Sequence, residues 1–426
     1  MKLAVIGAGS TYTPELVSGL SREREHLPLR ELVLHDIDAE RREVVGGLAA
    51  RMLERQGDPV ELTLTDDLGR ALDGADFVLI QIRVGGQEAR LRDETIPVAC
   101  GCIGQETTGA GGLAKALRTV PVVLDIAEQA RRRAADGAWI VDFTNPVGIV
   151  TRALLDAGHR AVGLCNVAIG FQRVIAAALG VEPGRVLVDQ VGLNHLTWIR
   201  AVYLDGRDVM ADVLANHIEA VAGQAALPAE LIRELGAIPS YYLRYFYTED
   251  ERLAELREAK PRAQEVAEIE RELLALYRDP ALTEKPALLE RRGGAFYSEA
   301  ATQLVAALAS DSGEAQVVDV RNGGTIAGLA DDDVVELPAR VGQAGAEPLP
   351  QAPLAPELLG LVQHVAAYER LAAEAAANRD RELAAKAMLA HPLVGQWPLA
   401  PELLDRMLEA EEGVRVADAG EAEAAP

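Results

Sequence analysis

Five apolar, largely β-branched runs alternate with helical stretches through the first third of the chain: KLAVI (2–6), ELVLHD (31–36), DFVLIQI (76–82), AWIVDF (138–143) and AVGLCN (161–166). No other feature constrains the fold as much, because strands separated by helix-length segments pair in parallel through crossovers. Runs without a polar break, such as FVLIQI, suit strands covered on both faces. After about residue 167 the pattern changes to shorter strand pairs and long Ala/Leu/Glu helices, which places a domain seam there. Asp-Gly within AVYLDGRDV (201–209) predicts a hairpin, and 263–277 and 356–390 carry helical periodicity. The last stretch, EEGVRVADAGEAEAAP (411–426), is acidic, lacks an apolar period and is expected to be disordered.

The first strand runs into GAGS, so Gly7, Gly9 and Ser10 stand where a strand turns into a helix. Backbone amides and the positive helix end at such a turn can face a pyrophosphate. Tyr12 stands where a third glycine is usual, so the motif by itself is weak. Its position after the first strand, with Asp36 ending the second, strengthens it: a carboxylate there accepts from a ribose 2′-hydroxyl and repels a 2′-phosphate. NAD is therefore the expected dinucleotide, while Arg41 and Arg42 keep NADP as the alternative.

With 42 Lys and Arg against 66 Asp and Glu, the formal charge is −24. Nucleic acid or an anionic membrane surface would be repelled, and any anionic ligand needs a local basic cluster. No apolar run of 18 residues could span a bilayer, and Met1 opens directly into a strand-like segment, so a cytoplasmic protein is expected. Three cysteines, Cys100, Cys102 and Cys165, suit reduced thiols, with Cys100 and Cys102 read as small buried groups.

Further segments narrow the reading: IRVGGQEARLRDETIP (82–97), GQETTGAGG (104–112), FTNPVG (143–148), GLCN (163–166), GLNH (192–195), SYYLRYF (240–246), RRGGAFYSEAA (291–301) and VVDVRNGGTI (317–326). Together they resemble the family 4 glycoside hydrolases, specifically their 6-phospho-β-glucosidase branch, an NAD-dependent family outside the two-carboxylate scheme. The resemblance covers nearly the whole chain. It implies an α/β protein with an N-terminal Rossmann-type dinucleotide-binding domain (1–166) and a C-terminal α+β domain of the lactate/malate dehydrogenase-like type (167–410). A homo-oligomer, dimer or tetramer, is the family expectation.

The resemblance also implies roles. Cys165 and His195 would hold a divalent metal, Mn2+ by family or another ion; two protein ligands suit a catalytic ion with open positions. The substrate would be a phosphorylated β-glucoside, oxidised at C3 by NAD, deprotonated at C2, cleaved by elimination, hydrated and re-reduced. Tyr242 is the expected base. Arg90, Asn145, Asn166 and Arg262 are the expected substrate contacts, the guanidinium forks suiting a sugar phosphate. Asn166 stands where the α-specific branch has an Asp, and its amide cannot deliver a proton as a carboxylic acid does. That favours the β branch and leaves Glu106 either as leaving-group acid or as an orienting group. Ala168 and the Ala99–Cys102 segment depart from the family pattern beside the site, leaving strict dependence on the 6-phosphate open. Two other readings stand: an NAD-dependent 2-hydroxy acid dehydrogenase, and a non-catalytic NAD or sugar-phosphate regulator.

Overall fold

The computed structural model describes residues 1–293, 296–310 and 312–410; the acidic tail lies outside the described residues. One sheet runs through the molecule. Its strands are β1 (Lys2–Ile6), β2 (Glu31–His35), β3 (Glu61–Thr65), β4 (Phe77–Ile80), β5 (Trp139–Asp142), β6 (Ala161–Gly163), β7 (Val186–Leu193), β8 (Leu196–Leu204), β9 (Arg207–Asp208), β10 (Ile238–Pro239), β11 (Glu314–Arg321), β12 (Val334–Gly342) and β13 (Gly345–Pro348). The N-terminal part is parallel in the order β3-β2-β1-β4-β5-β6, the doubly wound arrangement that gathers ligands at the carboxyl ends of its strands. Leu3, Ala4 and Val5 are all fully buried, as strands covered on both faces require, and each large apolar side chain so buried contributes about 1.5–3 kcal/mol.

The sheet continues antiparallel through β11, β12, β7, β8 and β10. Apart from the two-residue β10, these later strands are not shorter than the first ones. β7, β8, β11 and β12 have 8 or 9 residues against 3 to 5 in β1–β6, because hairpin-type pairs extend without crossovers. The Asp-Gly hairpin forms between β8 and β9, with Asp205 and Gly206 both at positive φ (50° and 80°), as a type I′ turn needs. The two parts join where Asp319 of β11 pairs with Gly163 of β6, and within the second part Glu336 of β12 pairs with Gly192 of β7. Helix Arg262–Tyr277 and the pair Pro356–Asn378 and Arg381–Ala390 fill the predicted helical segments. Among the described residues no helix is long and apolar enough to cross a membrane.

Candidate active site

At the end of β1 the chain turns through Gly7, at φ +88°, into helix Thr13–Arg22, with Pro14 in its first turn. Gly9 donates its amide to the Asp36 carboxylate (2.6 Å), and a Cβ at Gly9 would lie 2.7 Å from that carboxylate. Only glycine lets the turn pass so close to Asp36. Arg41 donates to the Gly9 carbonyl (3.0 Å) and lies 3.6 Å from Glu270; Arg42 donates to the Asp36 carbonyl (2.8 Å) and lies 3.3 Å from Asp66. With both arginines so engaged, the group left at this turn is the acidic Asp36, which suits an unphosphorylated ribose. Tyr12, in the third-glycine position, packs edge-on against Tyr297 with centroids 5.5 Å apart. Gly9→Ala is expected to weaken NAD binding at least about tenfold, a cost of roughly 1.4 kcal/mol for displacing Asp36. Isothermal titration with NAD measures it, and unchanged affinity would remove this turn from the cofactor site.

A cavity of about 1920 Å³ leads from Gly7 and Gly9, past Asn145 and Glu106, to Tyr242 and Arg262. Glu106 sits within it in a nest of cations: Arg83, Lys115 at 2.6 Å and Arg90 at 3.3 Å. Burial would raise its carboxyl, but those three charges outweigh it and hold Glu106 well below the usual carboxylate range. A carboxylate held ionised by three cations is suited to orienting neighbouring groups rather than to donating a proton. Lys115, 2% exposed on helix Gly109–Arg133, is pulled down to about 7 by burial and by Arg83, against the pull of Glu106.

His195 and Cys165 come to the same corner, under the cavity wall that Asn166 and Tyr242 form. The Tyr242 ring stacks on the His195 imidazole, centroids 3.6 Å apart and 10° from parallel. His195 has φ 63° in the tight connection between β7 and β8, a strained value for a non-glycine residue. Its partners favour one tautomer. Thr107 donates its amide (2.6 Å) to Gln105 Oε1, and with its hydroxyl also donating there (2.8 Å) the hydroxyl accepts from His195 Nδ1 at 2.9 Å, the assignment that satisfies all three groups. That assignment leaves the lone pair on Nε2, the state a metal ligand needs. Burial lowers the imidazole to about 3, so it stays neutral.

Burial, then Glu336 and Asp319, push the Cys165 thiol well above its ordinary range, opposed by the Val167 amide and by Asn194 beside His195. Only a bound cation makes such a thiol a thiolate at neutral pH. Among the described residues no group of three or more His, Cys, Asp and Glu converges as a closed metal cage. A soft thiol with a neutral imidazole fits an ion that keeps open positions. Asn145, at the end of β5, has a buried Oδ1 without a hydrogen-bond partner, an acceptor available to a ligand hydroxyl.

Arg90 and Arg262 both line the cavity, yet each is already neutralised: Arg90 by Glu94 (2.7 Å) as well as Glu106, and Arg262 by Glu265 (2.9 Å). Glu94 also accepts the Ala263 amide (2.8 Å), tying the helix that carries Arg90 to the one that carries Arg262. The sequence reading missed Arg83, Lys115 and the Gln105–Thr107 clamp. The clamp residues sit inside GQETTG beside Glu106 and were within reach; a lone lysine in a long helix gives no signal.

Fold and cavity together define an α/β enzyme of the dinucleotide-binding class. The chain belongs to the family 4 glycosyl hydrolases: the family description matches residues 2–181, and that of the family's C-terminal domain matches residues 190–394. A relative from Bacillus subtilis, called a probable 6-phospho-beta-glucosidase, is 43% identical over 96% of each chain. The structure of the Thermotoga maritima 6-phospho-beta glucosidase with manganese, NAD+ and glucose-6-phosphate is 36% identical, with a TM-score of 0.89 over 97% of this chain and 99% of that one. A lactate dehydrogenase from Cryptosporidium parvum shares the fold at 16% identity, with a TM-score of 0.56 over 88% and 98%.

Proposed function

We propose that this chain hydrolyses 6-phospho-β-D-glucosides, with NAD along the β1 and β2 ends and a divalent ion, Mn2+ by family, on Cys165 and His195. The observation that carries this reading is the His195 corner: an imidazole whose partners favour a free Nε2 lone pair, a phenol stacked on it, and a thiol in the same electrostatic neighbourhood. When bound, NAD supplies a hydride acceptor for C3 of the sugar, and the ion supplies Lewis acidity at the neighbouring oxygens.

The chain's own residues do the rest. Tyr242 takes the proton from C2 as phenolate; burial, with Cys165 and Glu106 nearby, raises its phenol well above 10, so the phenolate forms only where a neighbouring cation offsets that rise. Asn145, Asn166, Arg90 and Arg262 hold the sugar and its phosphate, and Glu106 orients groups around them. The β preference rests on Asn166, which cannot serve as an acid, and on the β-glucosidase name of the 43% identical relative. We place the domain seam near residue 166, the assembly as a homodimer or homotetramer, and the protein in the cytoplasm.

The test is release of p-nitrophenol from p-nitrophenyl 6-phospho-β-glucoside, with and without NAD, Mn2+ and a thiol reductant. Omitting NAD or the metal should abolish release, and in D2O the product should carry deuterium at C2. Full activity after exhaustive removal of both cofactors refutes the reading. Steady NADH formation from a 2-hydroxy acid, without glycoside cleavage, would favour a dehydrogenase instead.

A further inference from the structure

Arg244 stands at the Tyr242 end of the cavity. Its guanidinium lies 3.8 Å from the Tyr241 ring centroid and 4.8 Å from that of Tyr245, held between two aromatic faces. One Nη donates to the Tyr245 hydroxyl (2.7 Å), while Nε is sealed from solvent with no acceptor. Around it Arg83, Arg90, Lys115 and Arg262 each rest on a carboxylate, yet among the described residues none lies within ion-pair reach of Arg244. In a chain of charge −24, a half-buried guanidinium without a counter-ion is unusual. The stacked rings fix its plane and leave Nη1, which no acceptor among the described residues engages, as the group that can meet an oxyanion.

The place also matters. Tyr241 meets the Tyr242 ring edge-on at 5.8 Å, and Tyr245 feels the charge of Glu94, the carboxylate that Arg90 and the start of the Arg262 helix share. Arg244 thus lines the same cavity as the expected sugar contacts, beside the ring pair Tyr241 and Tyr242 and next to Tyr245 in the field of Glu94. We infer that Arg244 binds the phosphate monoester of the substrate and is the residue that selects a phosphorylated sugar over a free one. Arg90 and Arg262, already neutralised, contribute direction and hydrogen bonds; Arg244 brings the uncompensated charge. This rests on the reading of the substrate as a 6-phosphoglucoside.

The experiment compares wild type, Arg244→Gln and Arg244→Lys, all saturated with NAD and Mn2+. It uses p-nitrophenyl 6-phospho-β-glucoside as substrate, and glucose 6-phosphate and glucose as competitive inhibitors. R244Q should raise KM by about 10- to 100-fold, the range of one lost charge-assisted contact, with kcat within about threefold. It should lose the preference for glucose 6-phosphate over glucose by the same factor, and R244K should regain part of both. Equal weakening of both inhibitors, or an unchanged KM, overturns the assignment. A wild-type enzyme that binds glucose as tightly as glucose 6-phosphate overturns the phosphorylated-substrate reading beneath it, and that result shows before any variant is made.

Discussion

Cys165→Ser should leave a folded protein that binds NAD normally and hydrolyses substrate at least about a thousandfold more slowly, the loss of several kcal/mol of Lewis-acid stabilisation. Serine is smaller by little and keeps a hydrogen-bonding group, so Asn194 and the Val167 amide retain a partner. What changes is acidity. The thiol, although pushed up by burial and by Glu336, can still lose its proton to a dication; an alcohol in the same surroundings cannot at neutral pH. Metal content after dialysis against Mn2+ should fall well below one ion per chain, while titration with NAD changes less than about threefold because Cys165 makes no contact with the Gly9–Asp36 turn. A C165S protein that retains the ion and turns over at the parent rate would remove the thiol from the site.

What sequence could and could not show divides along physical lines. β1, β2, β4 and β5 were plain because continuous apolar runs are what doubly covered strands must carry. β3 escaped because it is an edge strand: ELTLT has only Thr65 buried, and its two leucines look like surface. The motifs placed Asp36, Glu106, Tyr242 and His195 in one cavity region or directly beneath it, but pairings across hundreds of residues have no local signature. The Arg262–Glu265 pair, three residues apart within KPRAQEV on one helix, was legible, but nothing in SYYLRYF foretells that Arg244 is left without a carboxylate. Nor could it be read that Arg83, Arg90 and Lys115 keep Glu106 ionised, since that follows from three elements meeting around one carboxylate.

Tyr242→Phe isolates the proton transfer from everything else at the corner. The phenylalanine ring keeps the face that lies 3.6 Å over His195, so the stacking, the Thr107–His195 hydrogen bond and the packing of that wall survive. Only the hydroxyl is lost. Removing a positioned base costs about 10²- to 10⁴-fold, so kcat should fall by that much while NAD and Mn2+ affinities change little. The decisive measurement is isotopic: in D2O the parent should place deuterium at C2 of product, and any slow residual turnover by Y242F should show a larger primary isotope effect with C2-deuterated substrate, because deprotonation becomes the slowest step. Tyr241→Phe is the control. Tyr241 is 36% exposed and its ring carries Arg244, a contact that phenylalanine preserves, so this variant should stay within about threefold of the parent. If Y241F lost C2 exchange while Y242F kept it, the base would be the neighbouring phenol, and the stacked tyrosine would serve only to cover His195.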